Sequence, residues 1–166
     1  MLKIVSATTP EDLEIFRTLV REFSDWALKT FHPDEATPPP AFSGLEQELA
    51  SLPGKYGDPD GALVLALVEG DVVGSIAGFR HDAHSTEVTR LWVRPTGRGH
   101  GVGKALVAHF VSLSQNKGYK RIVLRGHRGM TAAHKIYREA GFEMIDGPAE
   151  FPTIRDIALA MQKDIA

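Results

Sequence analysis

The chain has 166 residues, 43% of them hydrophobic, a formal net charge of −2 and no cysteine. That length suits one domain, residues 1–166, with its own core, and the missing thiols exclude thiolate catalysis, zinc–cysteine sites and disulfides. The charge balance points away from nucleic acid, no apolar run approaches the ~18 residues of a membrane span, and the first residues lack a signal-peptide pattern, so a cytoplasmic location is expected.

Residues 2–6, LKIVS, are β-prone. TTPED then marks a helix start, with Thr9 as N-cap and Pro10 in the first position. Leu13, Phe16, Leu19, Phe23 and Trp26 keep helical spacing, so this helix is predicted to run to about residue 29. FHPDEATPPPA, with four prolines, is a loop that could act as a lid. SGLEQELASL reads as a short second helix with a capping box between Ser43 and Glu46. ALVLALV, the turn EGD and VVGSIAGFR make a hairpin, and STEVTRLWV is the next strand. A glycine-rich loop leads into a helix over residues 102 to about 117, with Leu106, Phe110 and Leu113 on one face. KRIVLR is a strand, MTAAHKIYREAG a helix ending at Gly141, and two further strands are predicted at 142–145 and 156–161. The order β α α β β β α β α β β predicts an α/β fold. It is a mixed, mostly antiparallel sheet with a parallel βαβ unit in its middle and helices on both faces.

The charges are unevenly placed. Residues 87–138 hold eleven Lys and Arg against one acid, Glu87, which gives about +10 there and about −12 elsewhere. The excess coincides with RPTGRGHGVGKALV, which has glycines at 97, 99, 101 and 103. A basic glycine loop ahead of a helix suits a small anionic ligand, since unprotected N–H groups and the helix dipole both attract it.

Register discriminates among phosphate loops. A Walker A loop requires a glycine where Arg98 stands and a hydroxyl where Ala105 stands. A dinucleotide fingerprint requires its third glycine at Val102, Lys104 or Leu106, depending on where it starts, and fails each time. What matches is Arg-x-x-Gly-x-Gly at Arg98, Gly101 and Gly103.

On these residues the chain resembles the GNAT superfamily of acyl-CoA-dependent N-acetyltransferases. LWVRPTGRGHGVGKALV is similar to the family's strand–loop–helix signature, AAHKIYREAGFEMI to its second signature, and EVTRLWV to the strand before the loop. The resemblance implies acetyl-CoA as co-substrate, with no metal, and an amine as acceptor. It places the pyrophosphate on Arg98, Gly99, His100, Gly101, Val102, Gly103 and Lys104. It implies a strand that bulges and splays at Leu91, Trp92 and Val93, where the Leu91 N–H would meet the thioester carbonyl and the Val93 backbone the pantetheine amides. Leu91's side chain can equally serve the core. Tyr137 matches the family's tyrosine that protonates the departing thiolate, and Ala133 allows close approach. Met130 stands where many members carry an asparagine, so one cofactor contact is lost there.

Glu87 matches a glutamate that several members use as general base, directly or through water; an ion pair with a nearby arginine is the plain alternative. Glu87 and Leu91 have the same parity, which predicts one shared strand face about 13 Å apart. Arg125, His127 and Arg128 are expected in a loop near the cofactor rather than the acceptor, and Phe31, His32 and Tyr56 as walls of the acceptor site. His81 and His84 do not share a helix face, so metal binding is not expected. The acceptor, a small-molecule or peptide amine, is unreadable. A homodimer stays open, as does a non-catalytic acyl-CoA-binding module of the same fold.

Overall fold

The computed structural model describes residues 1–31, 33, 44–145 and 158–166. The elements are β1 (Leu2–Ser6), α1 (Pro10–Phe31), α2 (Leu45–Ala50), β2 (Ala62–Val68), β3 (Asp71–Arg80), β4 (Ser85–Val93), α3 (Val102–Asn116), β5 (Arg121–His127), α4 (Thr131–Glu139), β6 (Glu143–Ile145) and β7 (Ala158–Asp164). They form one seven-stranded sheet in the order β1-β2-β3-β4-β5-β7-β6. Its one parallel pair is β4–β5, joined by the α3 crossover. The predicted fold class is therefore correct. No helix among the described residues is long and apolar enough to cross a membrane.

Two cores lie on opposite faces of the sheet. On one, α3 brings Val102, Leu106, Val107 and Phe110 onto Val64, Ile76, Val88 and Ile122, and α4 adds Tyr137. On the other, α1 and α2 bring Phe16, Leu19, Val20, Leu45 and Leu49 onto Leu63, Leu65 and Ala77. The approach of α3 is close: a Cβ on Gly78 would stand 2.3 Å from the Phe110 ring.

α1 starts as its sequence predicts. Thr9 Oγ1 accepts the Asp12 N–H at 3.1 Å, and Asp12 Oδ2 accepts the Thr8 and Thr9 N–H groups. α2 does not: its N-cap is Gly44, in the left-handed region with φ 76° and no side-chain cap. Glu46, expected in a capping box, pairs with Arg21 at 3.1 Å instead, and Ser43 lies outside the described residues.

Candidate active site

The site is built where the sheet divides. β4 and β5 pair at Ser85↔Arg121, Thr86↔Ile122 and Glu87↔Val123, and no further. Beyond that point β4 stays on β3 but bulges, because Ala77 pairs with Thr89 and Ser75 with Trp92. Ile76 therefore opposes both Arg90 and Leu91. Arg90 takes φ 58°, a left-handed conformation costing a non-glycine residue about 1–3 kcal/mol. Its carbonyl accepts the Ser75 hydroxyl at 3.3 Å.

The bulge corrects the expected parity of Glu87 and Leu91. It flips the strand by one residue, so Trp92 follows Glu87 and Thr89 on the α1 face. Leu91 and Val93 turn to the α3 core. Leu91 thus packs in the core while its backbone sits in the divided part of the sheet.

The glycine loop contains two kinds of glycine. Gly99 (φ 84°) and Gly101 (φ 70°) need the left-handed region, and a Cβ on either would face open space. Gly97 and Gly103 are packing positions: a Cβ would stand 2.7 Å from Val73 and 2.7 Å from Ile136 of α4 respectively. Keeping the backbone bare for an anion thus concerns Gly99 and Gly101, not all four. Gly101 caps α3 without a side-chain hydrogen bond, and the first helical bond runs from the Ala105 N–H to the Gly101 carbonyl. The N–H groups of Val102, Gly103 and Lys104 precede that bond and have no carbonyl of their own helix to meet. Arg98, His100 and Lys104 are exposed around them, and the Arg98 guanidinium lies over the Trp92 ring at 5.6 Å. The arrangement fits a phosphate group.

Tyr137 is 5% exposed in α4 and meets Phe142 edge-on at 5.2 Å. Burial pushes its phenol well above the ordinary value, so it is kept protonated. Ala133, one turn earlier, is half-buried against the same core. Met130 is the α4 N-cap and supplies no side-chain cap.

On the other face, Glu87 is 6% exposed and ion-paired. Arg125 Nη2 donates to both of its oxygens at 3.2 Å, and His81 Nδ1 lies 3.4 Å away. Arg125, the last residue of KRIVLR, and His127 both belong to β5, which runs two residues past the predicted strand, and they alternate with Ile122 and Leu124, which face α3. Their side chains are therefore on the α1 side: His127 stacks on Phe31 at 4.2 Å. Parallel pairing brings β4 and β5 to the same end of the sheet, that of the glycine loop, so what changes is the face these side chains take. Arg128 is exposed just beyond β5.

Of the expected acceptor walls, Phe31 stands beside His127 and the Gly129 backbone, and His32 lies outside the described residues. Tyr56 is not a wall. It is 2% exposed and packs on Phe16 and Phe79 in the α1–α2 core, where burial raises its phenol pKa. Its apolar neighbours come from elements distant in sequence, which local composition does not reveal.

Two ion pairs and an aromatic row have no sequence signal. Arg94 grips Glu22 of α1 with Nη2 at 2.8 Å and Nε at 2.9 Å, and Trp92 Nε1 donates to the same carboxylate at 3.4 Å. Those hydrogen bonds, Arg94's first, hold the Glu22 carboxyl below the usual carboxylate range. Arg90 pairs with Glu48 of α2 at 3.1 Å. Phe23 and Trp26 of α1 lie on Trp92 at 5.9 and 5.6 Å, and Trp26 meets Phe31 at 5.6 Å, so aromatic rings run from β4 to the end of β5.

Known proteins share this plan. The Acetyltransferase (GNAT) family matches residues 19–142. An uncharacterised N-acetyltransferase of Schizosaccharomyces pombe is 31% identical over 144 residues, 86% of this chain and 83% of that protein. N-acetylaspartate synthetase of Homo sapiens is 32% identical over 100 residues, 59% of this chain, and the match spans 33% of that longer protein. Among solved structures, the PaiA N-acetyltransferase of Thermoplasma acidophilum in complex with coenzyme A superposes with a TM-score of 0.78 at 19% identity, over 99% of both chains. A GNAT-family acetyltransferase of Staphylococcus aureus gives 0.74 at 16% identity, over 100% of both chains. The likeness to the solved structures is one of fold, while the matched family and the S. pombe relative carry the further conclusion that this chain belongs to the GNAT acetyltransferase family.

Proposed function

We propose that the chain transfers the acetyl group of acetyl-CoA directly to a primary amine. The observation that carries this reading is the break in β4–β5 pairing at Glu87↔Val123, which leaves a bulged strand facing a gap beside an unprotected helix start. A protein of this fold is known in complex with coenzyme A, and the S. pombe relative, which the match covers to 83%, is named an N-acetyltransferase.

In this reading the N–H groups of Val102, Gly103 and Lys104, with Arg98 and His100 nearby, hold the pyrophosphate. The Trp92 and Val93 backbone pairs with pantetheine amides in the gap. The Leu91 N–H donates to the thioester oxygen, where negative charge grows as the amine attacks. The N–C bond forms and the C–S bond breaks. Tyr137 gives its proton to the departing thiolate; burial disfavours the phenolate, so the transfer relies on the thiolate being equally desolvated and basic in the same site. Glu87 takes a proton through a water from the acceptor's ammonium before attack, from the α1 side beside Phe31, which leaves the neutral amine as nucleophile; the second proton, shed by nitrogen after the N–C bond forms, replaces the one Tyr137 gives to sulfur. With no cysteine to carry an acyl group, both substrates are bound together.

Calorimetric titration with acetyl-CoA, ATP and NAD tests the donor, and thiol release with a panel of amines tests the transfer. Heat with acetyl-CoA alone, followed by amine-dependent thiol release, is the expected result. Absence of acetyl-CoA binding refutes the reading. Binding without release on any amine favours the non-catalytic module.

A further inference from the structure

Arg90 and Glu69 are the non-glycine residues with positive φ among the described residues. Glu69 sits in the β2–β3 hairpin turn, where the turn itself asks for that conformation. Arg90 sits inside a strand, and nothing in its own side chain favours the left-handed region. That conformation costs about 1–3 kcal/mol, which contacts beyond β4 must offset.

Two contacts do so from the same side of the sheet. At the bulge, Arg90 Nη2 reaches Glu48 of α2 at 3.1 and 3.4 Å, with side chains 13% and 18% exposed. Lys55 Nζ lies 3.5 Å from the same carboxylate, and the buried Tyr56 phenol senses both members of the pair. Four residues on, Arg94 is fixed to Glu22 of α1 through two nitrogens, while its Nη1 donates to the Val72 carbonyl and its backbone N–H to the Val73 carbonyl. Leu91, Trp92 and Val93 hang between these clamps. Breaking either pair leaves a half-buried arginine without its counter-charge and frees one end of the segment.

We propose that Glu48 and Glu22 are positioning residues: by holding Arg90 and Arg94, they fix the bulge and thereby the direction of the Leu91 backbone N–H. The proposal rests on the acyl-CoA reading above. It makes the helices on the acceptor side part of the geometry that polarises the thioester.

The test compares wild type with Glu48→Gln, Glu22→Gln, Arg90→Ala and Arg90→Gly. The readouts are isotope-edited infrared spectra of bound carbonyl-¹³C acetyl-CoA, kcat and KM, with calorimetry reporting binding separately. In wild type the carbonyl band moves to lower frequency on binding. Glu48→Gln, Glu22→Gln and Arg90→Ala lose most of that shift and about tenfold in kcat, while KM for acetyl-CoA stays within about twofold. Arg90→Gly recovers most of the shift, because glycine adopts positive φ without help. Glu48→Gln keeps side-chain volume and stands in if Arg90→Ala does not fold. A full band shift in Glu48→Gln and Arg90→Ala overturns the proposal, as does an Arg90→Gly no better than Arg90→Ala. Wild type that binds acetyl-CoA without any band shift overturns it too, leaving the donor assignment standing, whereas wild type that does not bind acetyl-CoA overturns both.

Discussion

Replacing Glu87 by Gln separates the two roles open to this carboxylate. Arg125 donates to it at 3.2 Å on both oxygens and His81 stands at 3.4 Å, with the Glu87 side chain 8% exposed and that of Arg125 42%. Hydrogen bonds to charged groups contribute about 1.5–3 kcal/mol. Arg125 can recover water and the amide can still accept one bond, so a loss of about 1–2 kcal/mol is expected. For a chain of this length that lowers Tm by roughly 2–8 °C, read by calorimetric or circular-dichroism melting. If Glu87 is also the base, kcat/KM falls by about 10²-fold and the alkaline rise of rate with pH flattens. A variant with lowered Tm but the wild-type rate and pH profile refutes the base and leaves a structural ion pair. A variant with unchanged Tm refutes the energetic argument.

Tyr137→Phe removes the phenolic proton from a 5% exposed side chain while keeping the ring against Phe142. We expect kcat to fall by about 10²-fold with acetyl-CoA affinity unchanged by calorimetry; wild-type turnover would exclude it as the acid. Gly101→Ala places a side chain in open space at φ 70°, so its cost is conformational, about 1–2 kcal/mol. Acetyl-CoA affinity should weaken by about tenfold, and unchanged affinity would show that this turn does not aim the N–H groups. His134 is 4% exposed against Gly126, and burial, with Arg138 and His127 adding, holds its imidazole below the ordinary value. The unfolded chain therefore binds the extra proton first: stability is full above the unfolded pKa of about 6.5 and declines as pH falls through the window below it. His134→Leu should flatten the fall in Tm between pH 7 and 5; an identical slope would refute the assignment.

The parts of the site readable in sequence are those set by local chemistry. The cap at Thr9, the hairpin of β2 and β3, the glycine loop and the face of α3 all follow from turn residues and periodicity, and each stands where expected. The bulge at Arg90 does not: no glycine or asparagine marks it, and the family resemblance alone implies a bulge close by, at Leu91 to Val93. That one displaced residue upsets the parity argument linking Glu87 to Leu91. KRIVLR predicts a strand ending at Arg125; pairing of Gly126 and His127 with Leu159 and Ala158 of β7 carries it two residues further. Nothing in the local sequence sets Glu22 or Glu48 apart from other helix acids, because their partners stand 72 and 42 residues away.

The break after Glu87 and Val123 has a mechanical consequence. β4 is supported by β3 on its outer side and β5 by β7 along its whole length. Among the described residues the sheet is thus a four-stranded half and a three-stranded half, joined by three rungs of hydrogen bonds. The lips of the slot are strand edges turned inward, where another protein's edge strand cannot easily reach them. An extended molecule with its own amides can lie between them as a missing strand. Its affinity would then be measurable as heat stability, because a molecule that fits only the folded slot raises Tm with its concentration.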